Sequence, residues 1–518
     1  MTISEPNSLH RFRPRALPWK VGVVGAGTMG RGIAQVAAQA GLSVRLTDAL
    51  PGRAAEAVAA IRAGMEQRAA AGKLSRDACD AACASLVAAD DLSDFADRDL
   101  IIEAVVEDLA VKRALFAALE AVVPADCILA TNTSSLLVTS IARGCARPER
   151  VGGLHFFNPV PAMKIAEVIA GARTAPATAQ ALRAFVAEIG HAPIVAADTP
   201  GFLINHAGRG LYTEGVRIVA EGIASPQDVD AVMQEAAGFR MGPFQLFDLT
   251  GLDVSYPVLS QIYREFFEEP RFRPAPLLRR QVEAGLYGRK AGEGFYRYED
   301  GRPVARAAED APAQWAPRPV WIHPEDDAAA PWVAARLTAL GVAVETGPRA
   351  GADAIQLVLP IGEDATSSAL QRGLDPERVM AIDPLLAEPR RLTLMPTVAT
   401  RDAVRDALTG MVRAGGGAAT LIHDSPGFVA QRVLAMIVNI AADIAQQRIA
   451  SPGDIDFAVR GGLGYPSGPL ALGDTLGPRT VLTILERMQA FYGDPRYRPS
   501  PWLKRRALAG CSLTRLDA

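Results

Sequence analysis

An α/β region followed by an all-α region, then a degenerate α/β segment and a second helical copy, is the architecture the sequence predicts. Three observations predict it. An apolar run, Val21 to Val24, breaks into a glycine-rich turn that opens a helical pattern. Strand-like and helix-like runs then alternate as far as Asp198, beyond which long helical patterns take over. Finally, Asp198-Thr199-Pro200-Gly201-Phe202 returns as Asp424-Ser425-Pro426-Gly427-Phe428. At 518 residues and 49% hydrophobic content, the chain can hold roughly three or four packed domains.

The glycine turn is Gly25-Ala26-Gly27-Thr28-Met29-Gly30, and the helical pattern after it stops at Gly41. Gly25 lets the chain turn off the strand, Gly27 lets backbone approach a pyrophosphate, and Gly30 lets helix and strand pack closely. The helix N-terminus offers unpaired N–H groups to the anion. A second apolar run, Leu42 to Thr47, ends in Asp48, where an acid meets a ribose 2′-hydroxyl. Strand, turn, helix, strand and acid together predict a Rossmann-type domain. Asp48 repels a 2′-phosphate, so the expected cofactor is NAD rather than NADP.

Composition excludes several classes. The net charge of −3, with both signs interspersed, leaves no nucleic-acid footprint. Five cysteines without a CxxC pair point to reduced thiols in a cytoplasm. Cys79 and Cys83 lie one helical turn apart, but with no histidine nearby they make no metal site, and none is expected elsewhere. No apolar run reaches the ~18 residues that span a membrane. Residues 1–18 are polar and read as a flexible tail.

Further along, residues 54–84 read as alanine-rich and helical, and Arg62, Arg68, Lys73 and Arg76 along them read as a solvated face rather than as contacts to a phosphorylated ligand. The run Asp99 to Val106 is a buried strand with Glu107 at its end, and a helix over 111–121 brings Lys112 near its start. Strands at 127–130 and 150–154 end in Thr131-Asn132-Thr133-Ser134-Ser135 and His155-Phe156-Phe157-Asn158. Ligands of a parallel sheet bind outside the carboxyl ends of its strands. Glu107, Ser134, His155 and Asn158 therefore share the edge on which the glycine turn lies. Glu167 follows His155 by twelve residues in a further strand, Lys164 to Ile169, and a hairpin-like return sets its carboxylate beside the imidazole. A carboxylate on one ring nitrogen leaves the other to accept a proton, which a dehydrogenase requires.

Helices are expected at 203–220 and 226–236, opening a helical domain that closes with Gly288-Arg289-Lys290-Ala291-Gly292-Glu293-Gly294-Phe295-Tyr296. The repeat extends well beyond the Pro-Gly-Phe motif. Glu221 to Pro226 is echoed by Gln447 to Pro452, Gly242-Pro243 by Gly468-Pro469, Asp248 by Asp474, and Pro270 to Pro274 by Pro495 to Pro499. Between the copies, Pro319 to Pro324 begins like a first strand without a glycine turn. Arg391 to Pro396 stands where His155 should recur and has no histidine. One active site per chain is expected.

These residues resemble the L-3-hydroxyacyl-CoA dehydrogenases. The carriers are the glycine turn, Thr131 to Leu136, Gly153 to Ile169, Asp198 to Asn205 and Gly288 to Tyr296; the duplicated tail is similar to the long bacterial form. The resemblance implies that His155 is the general base toward the C3 hydroxyl of an acyl-CoA substrate, with Glu167 as its partner. Ser134 bonds the substrate oxygen, and Asn205 orients substrate and histidine. Gly25, Gly27, Thr28, Met29, Gly30, Asp48, Glu107, Lys112, Asn158 and Lys290 contact NAD. In shorter relatives the helical domain makes a dimer, so the second copy is expected to pack on the first within the chain, homo-oligomers aside. His206 departs from the family's usual arginine, and Gln431 replaces asparagine in the second copy. Expected boundaries are 19–198 for the NAD domain and 199–298 for the helical domain. The degenerate segment is expected at 299–423 and the second helical copy at 424–518. The rival readings are a dehydrogenase of a free hydroxy acid on the same fold and a catalytically retired NAD-binding protein.

Overall fold

The computed structural model describes residues 19–304, 311–324 and 329–517; the expected flexible tail lies outside them. The chain forms two compact units. One runs to His206 and takes in Arg448–Asp454; the other comprises Ala207–Gln447 and Ile455–Ala518.

In the first unit the elements are β1 (Lys20–Val24), α1 (Thr28–Gln39), β2 (Ser43–Thr47), α2 (Arg53–Ala70), α3 (Arg76–Ser85), β3 (Leu86–Ala88) and β4 (Leu100–Glu103). Then follow α4 (Leu109–Val122), β5 (Ile128–Thr131), α5 (Val138–Ala142), β6 (Val151–Phe156), β7 (Ile165–Ala170), α6 (Pro176–Glu188) and β8 (Ala192–Ala197), with α7 (Ile204–Ala207) at the end. The eight strands lie in the order β3-β2-β1-β4-β5-β6-β7-β8. All neighbours pair parallel except β6 and β7. The central strands are apolar runs buried on both faces, as a helix-covered parallel sheet requires. The helical stretch expected over 54–84 is built as two helices. Gly72 takes the left-handed conformation (φ 69°) and Ser75 caps α3 by accepting the Ala78 N–H at 3.2 Å. Arg62 is not on a solvated face but donates to the Leu86 carbonyl at 2.7 Å.

The second unit begins with α8 (Arg209–Ala220), α9 (Pro226–Glu235), α10 (Pro243–Thr250), α11 (Leu252–Glu265) and α12 (Pro276–Glu283). The helix expected over 203–220 is thus interrupted at Gly208. A small antiparallel ribbon, β9 (Tyr298–Glu299) with β10 (Arg302–Pro303), leads to a second sheet. Its elements are β11 (Val320–Ile322), α13 (Ala330–Ala339), β12 (Val344–Glu345), β13 (Ile355–Val358), α14 (Ala365–Gln371), β14 (Val379–Ile382), β15 (Arg391–Pro396), α15 (Asp402–Ala414) and β16 (Ala418–Leu421). The chain ends in α16 (Ala430–Gln446), α17 (Pro452–Leu463), α18 (Pro469–Leu476), α19 (Pro478–Tyr492) and α20 (Pro501–Ala509).

The second sheet, in the order β12-β11-β13-β14-β15-β16, is a shortened copy of the first. Again one internal pair, β14 with β15, is antiparallel. The same capping device identifies the register of the repeat. Asp198 accepts the N–H groups of Val138 and Thr139 at the start of α5, both at 2.8 Å. Asp424 does so for Ala365 (2.7 Å) and Thr366 (3.2 Å) at the start of α14. β14 and β15 are therefore the counterparts of β6 and β7. This corrects the expectation that Arg391 to Pro396 stands in place of the His155 strand: it stands in place of the Glu167 strand. Neither β3 nor β4 has a counterpart among the described residues.

Helices α8 and α16, the equivalent helices of the two copies, touch backbone to backbone. A Cβ on Gly210 would lie 2.7 Å from the Cα of Ile437. Beside that contact Arg432 and Glu214, both wholly buried, form an ion pair at 2.7 Å, and the Tyr497 hydroxyl donates to Glu214 at 2.9 Å. No described helix is long and apolar enough to cross a membrane.

Candidate active site

The glycine turn is built as its spacing requires. Gly25 has φ 106°, and a Cβ there would stand 2.4 Å from the Ala104 carbonyl oxygen; one on Gly30 would stand 1.7 Å from the Gly25 oxygen. A Cβ on Gly27, by contrast, would meet nothing within 4 Å, so the turn opens onto free space there. The first turn of α1 carries neither a side-chain cap nor an acid. Thr28 is exposed and Met29 half-buried beside it. Asp48 accepts the Ala26 N–H at 2.7 Å and the Leu50 N–H at 3.0 Å, which fixes its carboxylate against the turn. A cavity of about 720 Å³ adjoins these groups, walled by Leu50, Val105 and Val106. An uncapped helix N-terminus, an anchored acid and an apolar slot fit the pyrophosphate, ribose and adenine of NAD.

The catalytic pair follows from strand pairing. His155 on β6 and Glu167 on β7 are direct cross-strand partners, so their side chains leave the sheet on the same face. His155 Nδ1 lies 2.6 Å from Glu167 Oε2. The carboxylate is wholly buried, and its second oxygen accepts the N–H groups of Leu203 (3.0 Å) and Ile204 (2.8 Å). Phe202, in the left-handed region at φ 49°, shapes the turn that presents those two groups. The His155 ring packs against Phe157 and Phe202, with centroids at 4.4 and 5.8 Å. Among the described residues nothing bonds its Nε2.

Ser134 lies on the loop after β5. Glu107 gathers this loop: one of its oxygens accepts the Thr133 hydroxyl (2.6 Å), the N–H groups of Ser134 and Ser135 (both 3.0 Å) and the Ser135 hydroxyl (2.8 Å). Burial opposes the charge on Glu107. Lys112, Thr133, Ser135 and the Ser134 N–H outweigh it and hold the carboxyl below its usual range. The Ser134 hydroxyl has no partner among the described residues. Asn132 ties the loop to β6 by accepting the Phe156 N–H at 2.8 Å.

Asn158 is exposed just beyond β6, and Asn205 is half-buried in α7. Lys112 is not open to a ligand: it is buried, its ammonium 2.6 Å from Glu103 and 3.3 Å from Glu107. Lys290, half-exposed in the second unit, pairs with Asp253. Glu103 and the backbone donors of Leu203 and Ile204 escaped the sequence reading. A lone acid ending an apolar strand was the signal for the first; backbone donors leave none.

The equivalent place in the second sheet is closed. Asp383 follows β14 and donates its N–H to the Thr393 carbonyl, so the pair Asp383 and Thr393 stands where His155 and Glu167 stand. Gln431, the counterpart of Asn205, donates to Asp383 at 2.9 Å and to the Pro360 carbonyl at 3.0 Å. Burial pushes the Asp383 carboxyl up to about 6, against the pull of Gln431 and the Leu385 N–H. Among the described residues no group of three His, Cys, Asp or Glu side chains is placed to hold a metal.

The profile described as 3-hydroxyacyl-CoA dehydrogenase, NAD binding domain, matches residues 20–199. The one described as the C-terminal domain of the same enzymes matches 201–298 and again 427–514. The chain belongs to the 3-hydroxyacyl-CoA dehydrogenase family, enzymes that use NAD to oxidise 3-hydroxyacyl-CoA. It is 36% identical over 491 residues to the 3-hydroxyadipyl-CoA dehydrogenase of Escherichia coli K12, covering 94% of this chain and 97% of that one. The 3-hydroxybutyryl-CoA dehydrogenase of Bradyrhizobium diazoefficiens is 40% identical over 285 residues, 55% of this chain and 97% of its own. A crystal structure of 3-hydroxybutyryl-CoA dehydrogenase from Escherichia coli K12 superposes with TM-score 0.83 at 35% identity, covering 95% of this chain and 99% of that chain.

Proposed function

We propose that the substrate is (S)-3-hydroxyadipyl-CoA, with 3-hydroxybutyryl-CoA the second reading, and that His155 and Glu167 carry the proton transfer. The observation that carries this is the buried His155–Glu167 contact at 2.6 Å, with the opposite ring nitrogen unengaged. His155 Nε2 accepts the C3 hydroxyl proton. NAD held at the glycine turn and Asp48 would supply the acceptor for the C3 hydride. Glu167 stabilises the imidazolium that forms, and its two backbone donors keep it from rotating away. The Ser134 hydroxyl holds the substrate oxygen and Asn205 orients the substrate. Gly25, Gly27, Thr28, Met29, Gly30 and Asp48 hold the cofactor, with Glu107, Asn158 and Lys290 supporting it; Lys112, buried between Glu103 and Glu107, acts only through Glu107. The product, a β-dicarbonyl thioester, is activated for thiolysis. A full-length relative named for 3-hydroxyadipyl-CoA supports the dicarboxylyl reading.

NADH formation from both thioesters at equal concentration, with free 3-hydroxyadipate as control, tests this. Faster turnover of 3-hydroxyadipyl-CoA is expected. Preference for the butyryl thioester establishes the second reading, and turnover of the free acid alone overturns both.

The same proposal covers organisation. The enzyme works in the cytoplasm, with a cofactor domain over 19–198, a substrate domain over 199–298, a vestigial domain over 299–423 and a second helical copy over 424–518. That copy replaces a dimer contact, a role supported by the α8–α16 packing. Truncation after Tyr298 is expected to yield a chain that dimerises or aggregates in light scattering. A truncated chain that remains a monodisperse monomer overturns this.

A further inference from the structure

Strand β4 is Leu100-Ile101-Ile102-Glu103, and all four residues are buried, Glu103 completely. A carboxylate in such a strand is costly unless every lone pair finds a donor. One oxygen of Glu103 accepts the Lys112 ammonium at 2.6 Å and the Val105 N–H at 2.7 Å; the other accepts the Thr131 hydroxyl at 2.7 Å. Both oxygens are therefore engaged, with three donors between them. The acid faces no cavity and cannot touch a ligand.

Lys112 is equally buried and stands between two acids, its Nζ also 3.3 Å from the free oxygen of Glu107. The remaining oxygen of Glu107 is the one that takes four donors from Thr133, Ser134 and Ser135. Charge thus alternates along a short chain, Glu103, Lys112, Glu107, and the last member holds the loop that carries Ser134. A lysine has four rotatable bonds and no geometric preference of its own. Glu103 determines where its ammonium sits, and the ammonium determines which way Glu107 turns.

We propose that Glu103 is a positioning residue for hydride transfer, acting through Lys112 and Glu107 on the Ser134 loop. The proposal rests on the reading of Ser134 as the donor to the substrate oxygen. Without Glu103 the ammonium is left with one acid, turns wholly to Glu107 and draws that carboxylate off the loop. The second half of the chain agrees. It has no counterpart of β4 among the described residues and no catalytic pair, while its capping aspartate and Pro-Gly-Phe turn remain.

The test combines steady-state kinetics with thermal unfolding of the full chain. Glu103→Gln and Lys112→Met are each expected to lower kcat about 10- to 100-fold. They also lower Tm, since each leaves a buried charge short of its partner. The double variant Glu103→Gln/Lys112→Met removes both charges. Its Tm is expected to recover while its kcat stays at the level of Lys112→Met alone. A kcat that recovers with Tm makes Glu103 merely structural and overturns the proposal. So do losses in kcat that multiply in the double variant. Ser134→Ala, measured alongside, separates the two readings. If it leaves kcat intact, the role of Ser134 fails; if it lowers kcat while Glu103→Gln does not, the positioning proposal fails alone.

Discussion

Two hairpins of one design carry opposite fates. In β6–β7, His155 faces Glu167 and keeps one ring nitrogen unengaged. In β14–β15, Asp383 faces Thr393 and is sealed by Gln431 and the Leu385 N–H. What both copies share is equally telling. Asp198 and Asp424 cap equivalent helices, and Phe202 and Phe428 take the same left-handed turn (φ 49° and 48°). Asp230 and Asp456 likewise accept the first N–H groups of α10 and α18. Devices that cap helices and shape turns are present in both halves, whereas the groups proposed to hold the cofactor and move the proton are present in one.

The sharpest way to break this comparison is to impair each hairpin in turn. His155→Gln is expected to lower kcat about 1,000-fold with NAD affinity little changed, measured by NADH formation and calorimetric titration. Loss of NAD binding with unchanged turnover would remove His155 from the chemistry. Glu167→Gln should cost less, about 100-fold, since the imidazole remains.

Asp383→Asn belongs on the other side and should leave kcat untouched. Its carboxyl titrates near 6 in the folded chain, above the usual carboxylate value. Between those two pH values the folded state holds a proton that the unfolded state has released, so wild-type stability falls as pH rises through this window. Asparagine removes the slope. The variant is expected to be more stable by about 3 kcal/mol above pH 6.5, a gain that vanishes below pH 4. Parallel urea melts at pH 4 and 8 check it, and a pH-independent difference would show that Asp383 does not titrate there.

Asp198→Ala should cost about 1 kcal/mol and Asp424→Ala less, since α14 keeps the cap of Asp364 on the Ser367 N–H whereas α5 has no other side-chain cap. A larger cost at Asp424 would mean that the halves do not share their packing logic. Smallest is Lys290→Ala. Its half-exposed pair with Asp253 contributes at most about 0.5 kcal/mol, so Tm should barely move and any rise in the KM for NAD reports a cofactor contact.

Much of the site was legible because strand alternation and hairpin return are local rules. The twelve residues from His155 to Glu167 close one hairpin and leave the two side chains opposed. The glycine turn and Asp48 likewise follow from short-range geometry. The second hairpin was not legible because it carries neither a histidine nor a facing acid to mark its register: Asp383 and Thr393 occupy the two positions, and the return between them is ten residues rather than twelve. Glu103 sat in plain view at the end of an apolar run, but its meaning depends on Lys112 reaching back from the next helix. The break at Gly208 and the split of α2 from α3 were hidden by helix-forming residues on both sides.

The buried pair of Arg432 and Glu214 makes the duplication hard to undo. Each half of the second unit holds one charge of a contact from which water is excluded, and Gly210 lets the two backbones meet beside it. Removing the second copy would take away Arg432 and Tyr497 together and open the apolar surroundings of Glu214 to water. The second copy is therefore tied to the first by a contact that each supplies only in part.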